Sequence, residues 1–270
     1  MERGVTARRS SFITGVPVSC MYRVPKPDKD KALKDAIRSI WRPNMGYRMA
    51  HEFVKASFAP LNVKRTRRVW KELKLGRAKR YRKQRSGQSI PFRATFANEV
   101  WTMDFIFDSC LNGTKLKILS VVDEVTRECL ALEVSTKLNA KSVEDVLAGI
   151  MKQRGAPKYV RSDNGGEFIA RLVSLFLAKH KSNSFFVEPG KPWQNGFVES
   201  FHSTLRRDHL DVEVFYNLAD AQIRTSLYRR YYNEVRPHSS TGKLPPSVAA
   251  RRAALSLTHP QTQETLMLSS

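Results

Sequence analysis

The pattern of apolar and polar positions after residue 98 predicts a sheet followed by alternating helices and strands. Three apolar segments, separated by the turn sequences L-N-G-T and D-E-V-T-R, have the pattern of an antiparallel meander. Helical spacing then alternates with two short apolar runs. The predicted strands are residues 100–108, 115–123, 128–136, 157–163 and 184–187, and the predicted helices are 140–153, 168–180, 193–210 and 218–234. This order predicts an α/β fold with a mixed sheet.

A smaller helical part precedes the sheet. Residues 29–40, 46–57 and 62–75 have helical spacing, and Asn62 is a plausible cap of the third segment. Three short helices with a basic last one resemble a helix-turn-helix DNA-binding module. We therefore divide the chain into five parts, which are a helical module (1–75), a basic linker (76–97), a catalytic core (98–215), a C-terminal helix with a closing motif (216–250) and a tail (251–270).

The charge is concentrated in the first third of the chain. The 270 residues carry 47 Lys and Arg against 25 Asp and Glu, for a formal net charge of +22. Residues 1–99 hold 25 of these basic residues and 7 of the acidic ones, so they contribute +18, and the remainder contributes only +4. Such asymmetry indicates a polyanionic partner, and we expect double-stranded DNA.

The cysteines and the hydropathy limit where the protein can act. Cys20, Cys110 and Cys129 form no C-x-x-C pair, so neither a zinc site nor a disulfide framework is indicated. No apolar run approaches the roughly 20 residues that a membrane-spanning helix needs. We expect a cytoplasmic protein that has no membrane partner.

Three acidic residues have sequence contexts that suit metal ligands. Asp104 ends the apolar run V-W-T-M-D, and Asp163 ends K-Y-V-R-S-D before the turn N-G-G. Glu199 lies on a predicted helix, with thirty-five residues between it and Asp163. We expect the two aspartates side by side on neighbouring central strands, with Glu199 completing the set. Such oxygen donors suit Mg²⁺, and two ions about 3.5–4 Å apart can activate an attacking hydroxyl and stabilise a leaving oxygen.

Basic residues near this set are candidate DNA contacts. Arg206 lies seven residues after Glu199, two helical turns on and on the same face, with His202 between them. A cation in this position suits a DNA phosphate. The third N-terminal helix adds Lys64, Arg65, Arg67, Arg68 and Lys71.

Each of these residues also has an ordinary structural role to consider. An aspartate at the end of a strand is more often a cap or turn residue than a ligand, and a glutamate on a helix is usually solvated. Asp108 and Asp123 also lie near predicted strand ends. The pattern of strand ends therefore does not by itself choose among these aspartates.

Four motifs of the core resemble the integrase-core transposases of bacterial insertion sequences, of the second-frame type. They are W-T-M-D-F at 101–105, V-V-D at 121–123, R-S-D-N-G-G-E-F at 161–168 and Q-N-G-F-V-E-S-F-H-S-T-L-R-R at 194–207. Y-N-E-V-R-P-H-S-S-T-G-K-L-P-P at 232–246 resembles the closing motif of this family, and M-G-Y-R-M-A-H at 45–51 and N-V-K-R at 62–65 resemble its N-terminal region. The resemblance covers roughly residues 12–250.

The resemblance implies an RNase H-like catalytic core, the fold shared with retroviral integrases. It implies that Asp104, Asp163 and Glu199 bind two Mg²⁺ ions, or Mn²⁺ in their place, and that Arg206 contacts the end of the DNA. The implied activity is cleavage and strand transfer of the ends of the protein's own mobile element into target DNA. We expect a homo-multimer on DNA, associated with the bacterial nucleoid, and a partner in the upstream-frame protein of the same element.

Two other functions remain open from the residues alone. A nuclease of similar fold would only hydrolyse DNA, but it would need neither the basic N-terminal part nor the region after the core. A non-catalytic DNA binder would have no chemical need for all three acids. The chain could also be an incomplete half that acts only with the upstream-frame protein. Both alternatives predict DNA binding without strand transfer.

Overall fold

The computed structural model describes residues 6–21, 28–75, 94–163, 166, 171–186 and 195–258. The predicted basic linker therefore lies outside the described residues except for 94–97, and so does the predicted tail after residue 258. No helix among the described residues is long and apolar enough to cross a membrane.

A five-stranded mixed sheet is the centre of the fold. The predicted meander is confirmed as β1 (Val100–Ser109), β2 (Lys115–Asp123) and β3 (Cys129–Ser135), which pair antiparallel. β4 (Tyr159–Ser162) adds parallel to β1, and β5 (Asn183–Phe186) adds parallel to β4. The order across the sheet is β3-β2-β1-β4-β5, so β1 is its central strand.

Helices cover both faces of the sheet because successive strand residues point to opposite faces. On one face, α6 (Ala140–Arg154) and α7 (Arg171–Lys179) pack over a core that contains Trp101, Met103 and Leu119. On the other face lie α8 (Gly196–Leu205) and α9 (Leu218–Glu234), whose side chains share a core with Ile106 and Ile118. Since α9 belongs to the same core as the strands, no separate core marks the predicted boundary at residues 215–216.

The N-terminal helices form a second, smaller core. After two short helices, α1 (Ala7–Thr14) and α2 (Val18–Met21), come α3 (Lys31–Ile40), α4 (Tyr47–Val54) and α5 (Val63–Glu72). Within the predicted module of residues 1–75, α3–α5 share this core, and the name helical module refers from here on to these three helices. The predicted cap is confirmed, because the side chain of Asn62 accepts a hydrogen bond from the Lys64 backbone N–H at 2.8 Å. The helix-turn-helix identity of this module stays a prediction.

The helical module contacts the core through polar groups. The Asn44 side chain donates a 3.0 Å hydrogen bond to the backbone oxygen of Arg207. The Arg42 guanidinium lies 4.1 Å from the centroid of the Tyr231 ring. Lys243, in the closing motif, donates to Glu52 of α4 at 2.7 Å. These contacts fix the position of the helical module relative to α8.

The helix predicted over 193–210 ends at Leu210 as predicted, but among its described residues it is α-helical only to Leu205, and Arg206–Leu210 forms a π-helical turn. One predicted boundary was wrong. The predicted tail begins inside a helix, α10 (Pro246–Thr258). Proline suits the first helical position, and the alanines that follow have the highest helix propensity, so this segment has local reasons to be helical.

Candidate active site

Asp104 lies in the middle of the central strand, not at a strand end as the apolar run suggested. It pairs with Ser120 of β2, and its side chain is 24% exposed. The alternate positions Thr102 and Ile106 both contact groups on the α8 side of the sheet. Asp104 therefore faces α8.

Asp163 follows directly after β4, beside Asp104. In the parallel β1–β4 pair, Thr102 is the partner of Arg161. Two positions further along each chain bring Asp104 and Asp163 to the same level, with Asp163 exposed. This is the neighbouring arrangement that the sequence predicted.

Glu199 comes to the same place from α8. The buried face of this helix is formed by Val198, Phe201 and Leu205, and the last two share a core with the strands. Glu199 is one position away from that face, in the first turn, and is half-buried. Its helix thus carries it along the surface of the sheet rather than out into solvent.

The negative charges of the three carboxylates act on one another. Burial, and to a smaller extent the charges of Asp163 and Glu199, raise the pKa of Asp104 to about 6. A hydrogen bond from the backbone N–H of Phe105, at 2.7 Å, opposes this rise in pKa. The three carboxylates therefore lie within one electrostatic site and repel one another.

This donor set fits a hard divalent cation. Three carboxylates supply the oxygen ligands that Mg²⁺ prefers, and a cation would relieve their mutual repulsion. Within the part of the chain that the structure describes, no three Asp, Glu, His or Cys side chains are close enough to hold one metal ion together. Joint coordination therefore requires the carboxylates to come closer than they are here.

A buried hydrogen bond joins the strand of Asp104 to the helix of Glu199. The Thr102 hydroxyl donates to the side-chain oxygen of Asn195 at 2.5 Å, and both residues are almost fully buried. Thr102 is two residues before Asp104, and Asn195 is the cap residue of α8, four residues before Glu199. Sequence reasoning missed this pair, although Asn195 belongs to the Q-N-G motif that it singled out.

His202 contacts the aspartate rather than open solvent. Its Nε2 is 2.7 Å from the Ser120 hydroxyl, and its Nδ1 is 3.7 Å from the Asp104 carboxylate. Burial, and to a lesser extent Arg206, lowers the pKa of His202 to about 4, so the ring is neutral at pH 7. A neutral, mostly buried ring is a weak phosphate ligand, and the structure instead places it where it supports Asp104.

Arg206 is placed further along β1 than the triad. Because the α-helix ends at Leu205, Arg206 begins the π-helical turn, and its guanidinium donates to the backbone oxygen of Phe107 at 2.6 Å. It also lies 3.7 Å from Asp108 and 3.9 Å from Asp211. The predicted cation is thus near the site but is held by two carboxylates.

The structure separates the other two strand-end aspartates from the candidate ligands. The Asp123 carboxylate is buried and accepts hydrogen bonds from the backbone N–H groups of Asn98, Val125 and Thr126. It therefore organises the loops around β2. Asp108 accepts from the backbone N–H of Ser109 and lies beside Arg206.

A buried ion pair supports the strand that ends at Asp163. Arg161 and Glu124 are joined at 2.6 Å, and their side chains are 1% and 0% exposed. Burial raises the pKa of Glu124 to about 7 against the attraction of Arg161. Sequence analysis did not single out this pair, because its partners are 37 residues apart.

The five basic residues predicted on α5 divide into two groups. Arg65 and Arg68 form ion pairs with the buried Asp30 at 2.8 and 2.5 Å, so they hold α5 to the start of α3. The three others are exposed and follow a spacing of three and four residues, which places them on one helical face. We call these three residues, Lys64, Arg67 and Lys71, the basic stripe.

Comparison with known proteins agrees with this fold. Models of the integrase core domain match residues 94–192 and 180–246. The uncharacterized 39.2 kDa protein of insertion element IS476 from Xanthomonas euvesicatoria is 36% identical over 248 residues, which cover 90% of this chain and 72% of that protein. The uncharacterized 31.7 kDa protein of insertion element IS407 from Burkholderia multivorans is 33% identical over 257 residues, covering 92% and 91%.

A solved structure shares the fold at low sequence identity. A chain of the simian T-cell lymphotropic virus intasome, solved by cryoEM in complex with PP2A regulatory subunit B56 gamma, matches 76% of this chain and 74% of its own length. The TM-score is 0.50 and the identity is 12%. The fold is that of the RNase H-like integrase catalytic cores. The chain belongs to the integrase-core transposases of bacterial insertion sequences.

Proposed function

We propose that this protein cleaves the DNA ends of its own insertion sequence and joins them to target DNA, with Asp104, Asp163 and Glu199 as the ligands of divalent metal ions. The observation that carries the proposal is the convergence of these three carboxylates: the β1–β4 register brings Asp104 level with Asp163, which follows β4, and Glu199 reaches the same face of the sheet from α8. Membership of the integrase-core transposases supports the same activity.

The reaction needs no covalent protein intermediate. Water attacks a phosphodiester at the end of the element and releases a 3′-hydroxyl, which then attacks a phosphodiester of the target. Each step breaks one phosphoester bond and forms one P–O bond. Bound Mg²⁺ supplies activation of the attacking oxygen and stabilisation of the leaving oxygen. The chain orients these carboxylates through contacts beside them, in which Thr102 bonds to Asn195 at the start of the helix of Glu199 and His202 lies beside Asp104.

The substrate is double-stranded DNA, both at the ends of the element and at the target. The net charge of +22 favours a polyanion. Joining two ends to one target requires both ends in one complex, so we propose that the protein acts as a homo-multimer on DNA. The upstream-frame protein of the same element is a further proposed partner.

The test is a cleavage and joining assay with a duplex that carries the terminal repeat of the element, with Mg²⁺ or Mn²⁺. Wild type is compared with Glu199→Gln, which keeps the shape of the side chain but removes its charge. We expect Glu199→Gln to bind the duplex as wild type does and to lose cleavage and joining. Its binding of Mn²⁺, measured directly by electron paramagnetic resonance, should weaken as well.

Glu133→Gln is the matched control, because Glu133 is an exposed carboxylate on β3. It should change neither activity nor Mn²⁺ binding. Cleaved product without any joined product would favour a hydrolytic nuclease. DNA binding with neither product, both for the chain alone and with the upstream-frame protein added, would favour a non-catalytic binder.

A further inference from the structure

A groove of about 480 Å³ separates the helical module from the core beside α8. One wall is formed by Arg48 and Glu52 of α4, and the other by Ser200 and Thr204 of α8. The π-helical turn and the closing motif complete the groove with Arg207, Arg236, His238 and Lys243. The groove is thus built from three parts of the chain that are far apart in sequence.

Two arginines of the groove share one carboxylate. Arg207 donates to Asp208 at 2.6 Å, and Arg236 donates to the other oxygen of Asp208 at 2.8 Å. Two positive charges against one negative charge leave this part of the groove with a net charge of +1. The shared carboxylate also fixes both guanidinium groups in place, which lowers the entropy lost on binding an anion.

The facing part of the groove has the same arrangement. Glu52 accepts from Lys55 at 2.6 Å and from Lys243 at 2.7 Å, again two cations to one carboxylate. Arg48 forms no ion pair with any residue that the structure describes. The groove and its edges therefore keep a net positive charge of three after the internal ion pairs are counted, from five cations and two carboxylates.

Tyr47 connects the groove to the basic stripe of α5. The guanidinium carbons of Arg48 and Arg67 each lie 5.8 Å from the centroid of the Tyr47 ring, and Arg48 also donates to the Tyr47 hydroxyl at 3.3 Å. Arg67 is the middle residue of the basic stripe. The positive surface therefore continues from α5, across Tyr47, into the groove.

At its other end the groove reaches the helix of the candidate active site. Ser200 follows Glu199 directly, and Thr204 lies one helical turn further on the same face as Ser200. Both hydroxyls can donate hydrogen bonds to phosphate oxygens. The groove therefore ends one residue along α8 from Glu199.

We propose that this groove binds the phosphate backbone of DNA between the segment held by the basic stripe and the phosphodiester held at Asp104, Asp163 and Glu199. The proposal rests on the proposed function, since it assigns the path by which that DNA reaches the site. The cations of the groove contact phosphates without reading bases, so this part of the binding is independent of DNA sequence. These cations are Arg48, Arg207, Arg236 and Lys243.

The first test is cross-linking at defined positions of the full chain. Ser200→Cys and Thr204→Cys are prepared separately in a Cys20→Ser background, because Cys20 is the exposed cysteine and the other two are buried. Each protein is mixed with a terminal-repeat duplex that carries a thiol tether on one backbone phosphate. Gln153→Cys is the matched control, an exposed position on α6 and thus on the opposite face of the sheet.

We expect disulfide cross-links at positions 200 and 204 for a limited set of tether positions, and at least a tenfold lower yield at 153. Equal yields at all three positions would overturn the proposal. So would the absence of a cross-link at 200 and 204 when a small thiol reagent labels both cysteines. A duplex RNA of the same length that cross-links better than the DNA would also overturn it.

The second test measures the number of phosphate contacts. Arg48→Ala should reduce the slope of log affinity against log salt by about 0.9, the value for one lost phosphate contact. Arg38→Ala removes the same charge from an exposed position on α3 and should leave the slope unchanged. Equal effects of both variants would contradict a specific path.

These results are independent of catalysis. If wild type neither cleaves nor joins DNA but the Ser200→Cys and Thr204→Cys proteins cross-link, the proposed function fails and the groove assignment stands. If wild type cleaves and joins DNA but neither cysteine variant cross-links, the groove assignment fails and the proposed function stands.

Discussion

Replacing Thr102 by valine tests whether one buried hydrogen bond holds the candidate active site together. Valine has nearly the same shape as threonine but lacks the hydroxyl. Thr102 and Asn195 are 0% and 5% exposed, so no bulk water replaces the lost donor. An acceptor left buried without its partner costs about 1–3 kcal/mol, and we expect the free energy of unfolding to fall by this amount.

The effect on activity should exceed the effect on stability. Asn195 stands four residues before Glu199, which is about 6 Å along the helix axis. A shift of the first turn of α8 therefore moves the Glu199 carboxylate directly. Since a displacement of about 1 Å can cost on the order of 100-fold in rate, we expect Thr102→Val to slow single-turnover cleavage by about that factor. Thr102→Ser keeps the donor and should remain within a few-fold of wild type.

The assay combines urea denaturation, Mn²⁺ binding and single-turnover cleavage at a temperature where each variant is folded. Thr225→Val is the matched control, because Thr225 is 1% exposed and its hydroxyl is 3.2 Å from Nε2 of His209, away from the carboxylates. It should lose similar stability but retain cleavage and metal affinity. If Thr102→Val loses stability and still cleaves and binds Mn²⁺ like wild type, the hydrogen bond only stabilises the fold and the reasoning is wrong.

Three further predictions follow from the same contacts. Glu124→Gln removes the carboxylate that pairs with the buried Arg161, so it should destabilise the fold by about 3–5 kcal/mol in urea denaturation. The double variant Glu124→Leu, Arg161→Met should be close to wild type, and equal losses in both would argue against the ion pair as the cause. Burial lowers the pKa of His209 from its ordinary 6.5 to about 4. As the pH decreases, this histidine is therefore protonated in the unfolded chain before it is protonated in the folded one. The free energy of unfolding should fall between about pH 6.5 and about pH 4, by at most about 3 kcal/mol. His209→Phe keeps the ring that stacks on Tyr228 at 4.7 Å, and thermal unfolding of this variant should depend less on pH over that interval; an unchanged dependence would exclude His209 as its source. Finally, if the basic residues neutralise about 6–10 phosphates, DNA affinity should fall by roughly 10³–10⁵ between 50 and 200 mM salt, and a flat response in a binding titration would contradict electrostatic contact with the backbone.

A residue's role could be predicted from the sequence only where its partner is close along the chain. Asn62 could be predicted as a cap because its partner is two residues away. The roles of His202 and Arg206 could not be predicted, since their partners on β1 and β2 are about 80 to 100 residues away. Helical spacing predicted one face for Glu199, His202 and Arg206, but the π-helical turn that begins at Arg206 places this arginine beside Asp108, further along β1.

The sequence by itself determined the order of the strands and helices, because hydrophobic periodicity and turn residues act over a few neighbouring positions. Its motif spacing also determined the family and the three candidate carboxylates. Only the tertiary structure decided that Asp123 organises loops, that Arg65 and Arg68 belong to the core of the module through Asp30, and that the closing motif and the module form one groove with α8. These outcomes depend on contacts between residues that are distant in sequence, which form when helices pack on the two faces of the sheet. Hydrophobic periodicity reflects only neighbouring positions and therefore does not predict such contacts.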